Sequence, residues 1–178
     1  IFVDKAKHDL ADFPLIIDLL NEINSIEDLR FVLRYNLFIL LTVGCSKKHL
    51  INQWAYDRCN EIQENPNGYI DLWAREHYKS TIITFGKSIQ DILITHGYVD
   101  DINIISTELL FKIRHFYNSL GLIEDTRTIF ETIKNNDLTE EAEIGIMICT
   151  KKLAESFLWE IKKEVESNQM LKAIFPDI

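Results

Sequence analysis

Between Asp4 and Glu64 apolar residues return at close to the 3.6-residue spacing of a helix, and the pattern stops at Asn65-Pro66-Asn67-Gly68. A chain written this way must bury one stripe of each helix against another element, so this feature limits the possible folds more than any other. The stripes are Leu10, Phe13, Ile17, Leu20 and Ile23, then Leu29, Val32, Leu33, Leu37 and Leu40. Three helices are expected. Their breaks are placed at Asn24-Ser25, where Ser25 can form a capping box with Asp28, and at Gly44-Cys45-Ser46, where Ser46 can cap the third helix. Phe13, Phe31 and Phe38 lie on apolar faces and are expected in the core. The Asn-Pro-Asn-Gly turn marks a boundary, which gives a helical N-terminal region over residues 1–66.

Beyond the turn the pattern changes. Tyr69-Ile70-Asp71-Leu72-Trp73 reads as a strand, followed by a polar stretch. From Ser80 the spacing of Ile82, Phe85, Ile89, Ile92 and Leu93 predicts a helix ending near His96-Gly97. Two further helical patterns, around Leu109, Leu110, Ile113 and Phe116 and around Thr128, Ile129 and Ile133, are separated by Gly121. Ile144 to Cys149 is a continuous apolar run that fits a strand buried on both faces. Leu153, Ala154, Phe157, Leu158, Ile161 and Val165 then form one face of a helix. Residues 67–178 therefore predict an α/β fold, with Tyr69–Leu72 and Ile144–Cys149 as parallel neighbours and the Ser80–Thr95 helix in a right-handed crossover between them. A helical insertion is expected at about residues 103–141.

Composition narrows the function. At 178 residues, 47% hydrophobic and 26% charged, the chain has the makings of a folded domain and not of a disordered one. Its net charge of -9 excludes indiscriminate coating of nucleic acid, which needs clustered Lys and Arg. The apolar run Leu37–Val43 is too short to span a bilayer, so no membrane association is expected. Three cysteines without CxxC spacing suggest neither a disulfide framework nor a zinc site, and point to a reducing, intracellular home. His8, His49, His96 and His115 show no metal-ligand spacing. The chain starts at Ile1, not Met, and is expected to be part of something longer.

The sharpest chemical signal is Trp73-Ala74-Arg75-Glu76-His77-Tyr78-Lys79-Ser80-Thr81, between the expected strand and the start of a helix. Amides at a helix start point at an anion, a lysine beside them neutralises β- and γ-phosphate charge, and the next hydroxyl can hold magnesium. Trp73 and Tyr78 stand where GxxxxGK[ST] has glycine, which leaves open a plain polar helix start with a solvated lysine. Tyr78 is expected to keep an ordinary backbone conformation in a widened loop. Trp54 and Tyr56, with Gln53 beside them, could stack an adenine or could be core aromatics. Thr150-Lys151-Lys152 could contact DNA or be a solvated helix start.

The segment from Asp71 through Lys79-Ser80-Thr81-Ile82-Ile83-Thr84-Phe85 to Gln90-Asp91-Ile92-Leu93 resembles the deviant Walker A region of large terminase subunits from tailed bacteriophages. Ile144 to Thr150, and onward through Phe157, Leu158 and Leu171-Lys172-Ala173-Ile174-Phe175-Pro176-Asp177, is similar to that family's next strand and helix. The resemblance covers roughly residues 54–93 and 143–178, and implies an ATP-driven motor that packages double-stranded viral DNA into a procapsid. It implies ATP and magnesium as cofactors and a P-loop ATPase domain followed by a nuclease domain. The implied partners are viral DNA, the small terminase subunit and the portal protein, with a homo-oligomeric ring working in the bacterial host cytoplasm. By position, Lys79 would bind the β/γ-phosphates, Ser80 would ligate magnesium and Thr81 would touch phosphate. Arg75 would sit over the nucleotide or assist hydrolysis, with Lys79 as the other catalytic residue, and Glu76, His77 and Tyr78 would complete the loop. The sequence departs from the family in having no apolar strand ending in Asp-Glu, since neither Asp100-Asp101 nor Glu124-Asp125 follows one, and in lacking an acidic nuclease cluster. The alternative is a non-catalytic helical interaction protein, or a decayed prophage remnant without ATPase activity.

Overall fold

The computed structural model describes residues 2–64, 78–95 and 151–176. Helix α1 (Phe2–Asp9) is separated from α2 (Pro14–Asn21) by a break at residues 10–13. Pro14 begins α2, where its missing N–H costs nothing and its fixed φ suits a first turn, so one expected helix is in fact two. Helix α3 (Ile26–Tyr35) starts as predicted. The Ser25 hydroxyl accepts the Asp28 N–H at 3.0 Å, and the Asp28 carboxylate accepts the Ser25 N–H at 3.0 Å. Such a cap is worth about 1 kcal/mol.

At Asn36 the backbone leaves helical geometry, with φ -125° and ψ 101°. A break of this kind exposes a carbonyl on one side and an N–H on the other. Gln63, on α5 (Gln53–Glu64), takes both, accepting the Leu37 N–H at 2.8 Å and donating to the Tyr35 carbonyl at 2.8 Å. The Asn36 side chain then accepts the Ile39 N–H at 2.9 Å and starts α4 (Leu37–Ile39), which runs on into π-helical turns over Leu40–Gly44. Ser46 does not cap the next helix. It stands at φ 54° and turns the chain out of the π-turns, and after a 3-10 turn at Lys48–Leu50 it is Asn52 that starts α5, accepting the Ala55 N–H at 2.9 Å.

The later described helices pack onto this frame. A second run of π-turns, Ser80–Lys87, leads into α6 (Ser88–Thr95), followed by α7 (Lys151–Ser167) and α8 (Gln169–Ile174). Asn168 joins three pieces. Its oxygen caps α8 through Met170 and Leu171, 2.9 and 3.1 Å, while its amide donates to the Gly44 carbonyl at 2.8 Å and to the Glu164 carboxylate of α7 at 2.6 Å. Two arginines of α3 receive helix C-termini, where unpaired carbonyls concentrate negative charge. Arg30 donates to the Ile174 carbonyl, and buried Arg34 donates to the Leu93 carbonyl at 3.0 Å with its guanidinium 5.1 Å from the Phe175 ring centroid. Phe13, Phe38 and Tyr56 form an aromatic cluster, with centroids 5.2–5.4 Å apart. Ile82, Phe85, Leu93, Leu171 and Phe175 belong to the same core as Phe31, Leu33 and Phe38, so helices from both sides of the Asn-Pro-Asn-Gly turn share it.

The expected α/β architecture with a parallel sheet is overturned in the described residues, which are 83% helical and contain no strand. The physical reason lies in how the apolar faces are used. The Ser80–Lys87 turns and α6, expected to cover one face of a sheet, are packed instead against α3, the Leu40–Gly44 turns and α7. The anticipated strands at 69–72 and 144–149 and the insertion at 103–141 lie outside the described residues. The face predicted for α7 is also narrower than its sequence suggests. Ile161 is buried, but Leu153 and Leu158 remain 42% and 48% exposed. Among the described residues no helix is long and apolar enough to cross a membrane.

Candidate functional site

The candidate site is the backbone at Tyr78-Lys79-Ser80. Tyr78 stands at φ 56°, in the left-handed region, and Lys79 follows at φ -52° and ψ -49°. Left-handed followed by right-handed backbone turns successive N–H groups toward one side, an anion-binding arrangement, and the first turn of a helix adds donors that the helix itself does not pair. Tyr78, Lys79 and Ser80 are exposed and Thr81 is half-buried. Buried Ile82 anchors the turn, its N–H donating to the Tyr78 carbonyl at 2.8 Å. The expectation that Tyr78 keeps an ordinary conformation is therefore corrected. It takes the backbone shape that glycine would take, at a cost of roughly 1–2 kcal/mol.

The Ser46–Leu50 turn lies beside this loop. The His49 ring centroid is 5.3 Å from that of Tyr78, with the planes tilted by 44°. Lys48 reaches Asp9 at 2.7 Å, and this hydrogen bond holds the Asp9 carboxyl below the usual carboxylate range. Lys47 lies 4.1 Å from the Phe85 ring centroid and 3.4 Å from Glu160. One short turn thus links α1, the Ser80–Lys87 turns and α7.

Of the residues singled out by sequence, Tyr78, Lys79, Ser80 and Thr81 are brought together at one helix start. Arg75, Glu76 and His77 lie outside the described residues, as do Thr150 and Cys149. Tyr56 is enclosed by Phe13 and Phe38, and burial raises its phenol pKa, so it is a core residue and not a nucleobase platform. Trp54 is 37% exposed on α5. Lys151 and Lys152 are exposed in the first turn of α7, with Lys151 3.6 Å from Glu155. No group of three metal-ligating side chains occurs among the described residues. The contact of His49 with Tyr78 leaves no mark in the sequence around either residue, because the two come from distant segments.

Cys45 and Cys59 are buried free thiols, and burial pushes both above the usual thiol range. Since the thiolate is the nucleophile, both should resist a thiol reagent until the protein unfolds. Mapping the labelled peptides checks this, and rapid labelling of either cysteine in the native protein would contradict it. Comparison of the chain with models of known protein families, with curated proteins and with solved structures returned no match.

Proposed function

We propose that the chain carries the nucleotide-binding loop of a DNA-packaging motor of the large-terminase type. The observation that carries this is Tyr78, held at φ 56° directly before the exposed pair Lys79-Ser80 at a helix start. The residues fit a magnesium-nucleotide. Lys79 would neutralise β- and γ-phosphate charge, Ser80 would offer its hydroxyl to magnesium, and Thr81 would contact phosphate. Bound magnesium-ATP would supply the phosphoryl-transfer energy that such a motor couples to DNA movement. Viral DNA, the small terminase subunit, the portal protein, a ring of copies and the host cytoplasm belong to the same proposal. A second reading, a non-catalytic helical interaction protein or decayed remnant, is favoured by one observation: the described helices are packed on one another with no strand among them.

Calorimetry and a phosphate-release assay on the wild type and Lys79→Ala separate the two. The chain is expected to bind magnesium-ATP with almost no turnover, and Lys79→Ala to weaken binding at least tenfold, about 1.4 kcal/mol. Equal binding, or equally robust hydrolysis, by the two proteins would remove Lys79 from the site. No binding by either would favour the helical interaction protein.

A further inference from the structure

We propose that His49 is a positioning residue for the Tyr78–Thr81 loop, its ring holding Tyr78 in the left-handed conformation from which Lys79 and Ser80 present their donors. This rests on the nucleotide-binding role proposed for that loop. A tyrosine at positive φ is strained, and such residues persist only where the surroundings over-determine them. Tyr78 is 39% exposed, so core burial alone does not fix its ring. The His49 ring lies against it, with the centroids 5.3 Å apart.

The mount of His49 is rigid. The Lys48 and Leu50 N–H groups donate to the Ser46 and Lys47 carbonyls at 2.9 Å each, and the Ile51 N–H donates to the Lys48 carbonyl at 3.1 Å. Asn52 donates its side-chain amide to the His49 carbonyl at 3.2 Å. Leu50 is fully buried, and Lys48 is tied to Asp9. Left-handed Ser46 aims this turn at the loop. A contact partner on so constrained a turn restricts the loop before ligand arrives, which lowers the ordering cost of binding. The same arrangement explains how an aromatic residue serves where glycine is usual: glycine accepts positive φ without help, whereas tyrosine needs its ring to be held.

The test compares wild type, His49→Ala, His49→Phe, Tyr78→Gly and the His49→Ala/Tyr78→Gly double variant. Each is followed by hydrogen exchange at the Ile82 amide and by magnesium-ATP affinity. His49→Ala is expected to speed exchange and weaken binding about fivefold each, the size of a lost ring pair. His49→Phe keeps a ring and should restore both. In the Tyr78→Gly background, His49→Ala should change neither, because glycine holds the conformation unaided. Unaltered exchange in His49→Ala, or the same loss in the glycine background, would overturn the proposal. If exchange responds as expected while no variant binds magnesium-ATP, His49 positions the loop and the nucleotide role alone fails.

Discussion

Replacing Gly86 with valine is expected to destabilise the protein by about 3 kcal/mol, at the upper end for overpacking a core. Gly86 sits where the two runs of π-turns cross. A Cβ there would lie 2.7 Å from Leu41 Cδ2, 2.9 Å from Cδ1 and 3.0 Å from Cγ, and Leu41 is fully buried, so it has no room to swing aside. Valine adds two further carbons in the same place. Gly86→Ala should cost less, about 1 kcal/mol, because alanine recovers roughly 0.5–1 kcal/mol of helix preference against the clash. Leu41→Ala alone should be costly, but combined with Gly86→Val it should lose less than the two separate losses predict, since the new side chain fills the vacated space. Denaturant midpoints at constant slope measure all four. A Gly86→Val protein as stable as wild type would show that the two π-turns do not meet as described.

The second large effect is expected at Arg34. Only 3% exposed, it joins α3 to the end of α6 and to Phe175, through the Leu93 carbonyl at 3.0 Å and the ring at 5.1 Å. Arg34→Ala orphans a buried carbonyl, removes a cation–π contact and empties the space of the aliphatic stem, which together should cost about 3–4 kcal/mol. Arg34→Lys should recover only part of this, because a point charge cannot donate to Leu93 and lie flat on Phe175 at once. Chemical denaturation gives the stabilities, and hydrogen exchange in α8 should rise more than in α2. Equal stability of Arg34→Ala and wild type would contradict the docking of α6 and α8 on α3.

How much of this was legible in sequence depended on the reach of each interaction. The start of α3 was readable because Ser25 and Asp28 are three residues apart and meet within one turn. The break at Asn36 was not, because its exposed backbone groups are satisfied by Gln63, on another helix. Pro14 is a local helix-start signal, but the apolar periodicity continues across it and hides the break. The π-turns left no mark, since an unbroken apolar run such as Leu37–Leu41 fits tight and wide helical turns equally well. At the site, Lys79-Ser80-Thr81 could be placed at a helix start from its polar-to-apolar transition. The φ of Tyr78 could not, since tyrosine favours ordinary conformations and its ring meets His49, a residue from a distant segment.

The bond from Arg30 to the Ile174 carbonyl spans 144 positions of chain. During synthesis at about 5–20 residues per second, Arg30 leaves the ribosome roughly 7–29 s before the helix end it finally holds. Arg34 meets its partners in sequence: the Leu93 carbonyl follows after 59 positions, and the Phe175 ring much later. A guanidinium is well suited to that wait, because it stays hydrated and charged until each acceptor arrives. A leucine or phenylalanine in the same place would leave a growing chain with a bare apolar spot and nothing yet made to cover it. The long-range polar joint therefore adds no apolar surface of its own while the chain is unfinished, and closes the protein once both helix ends are made.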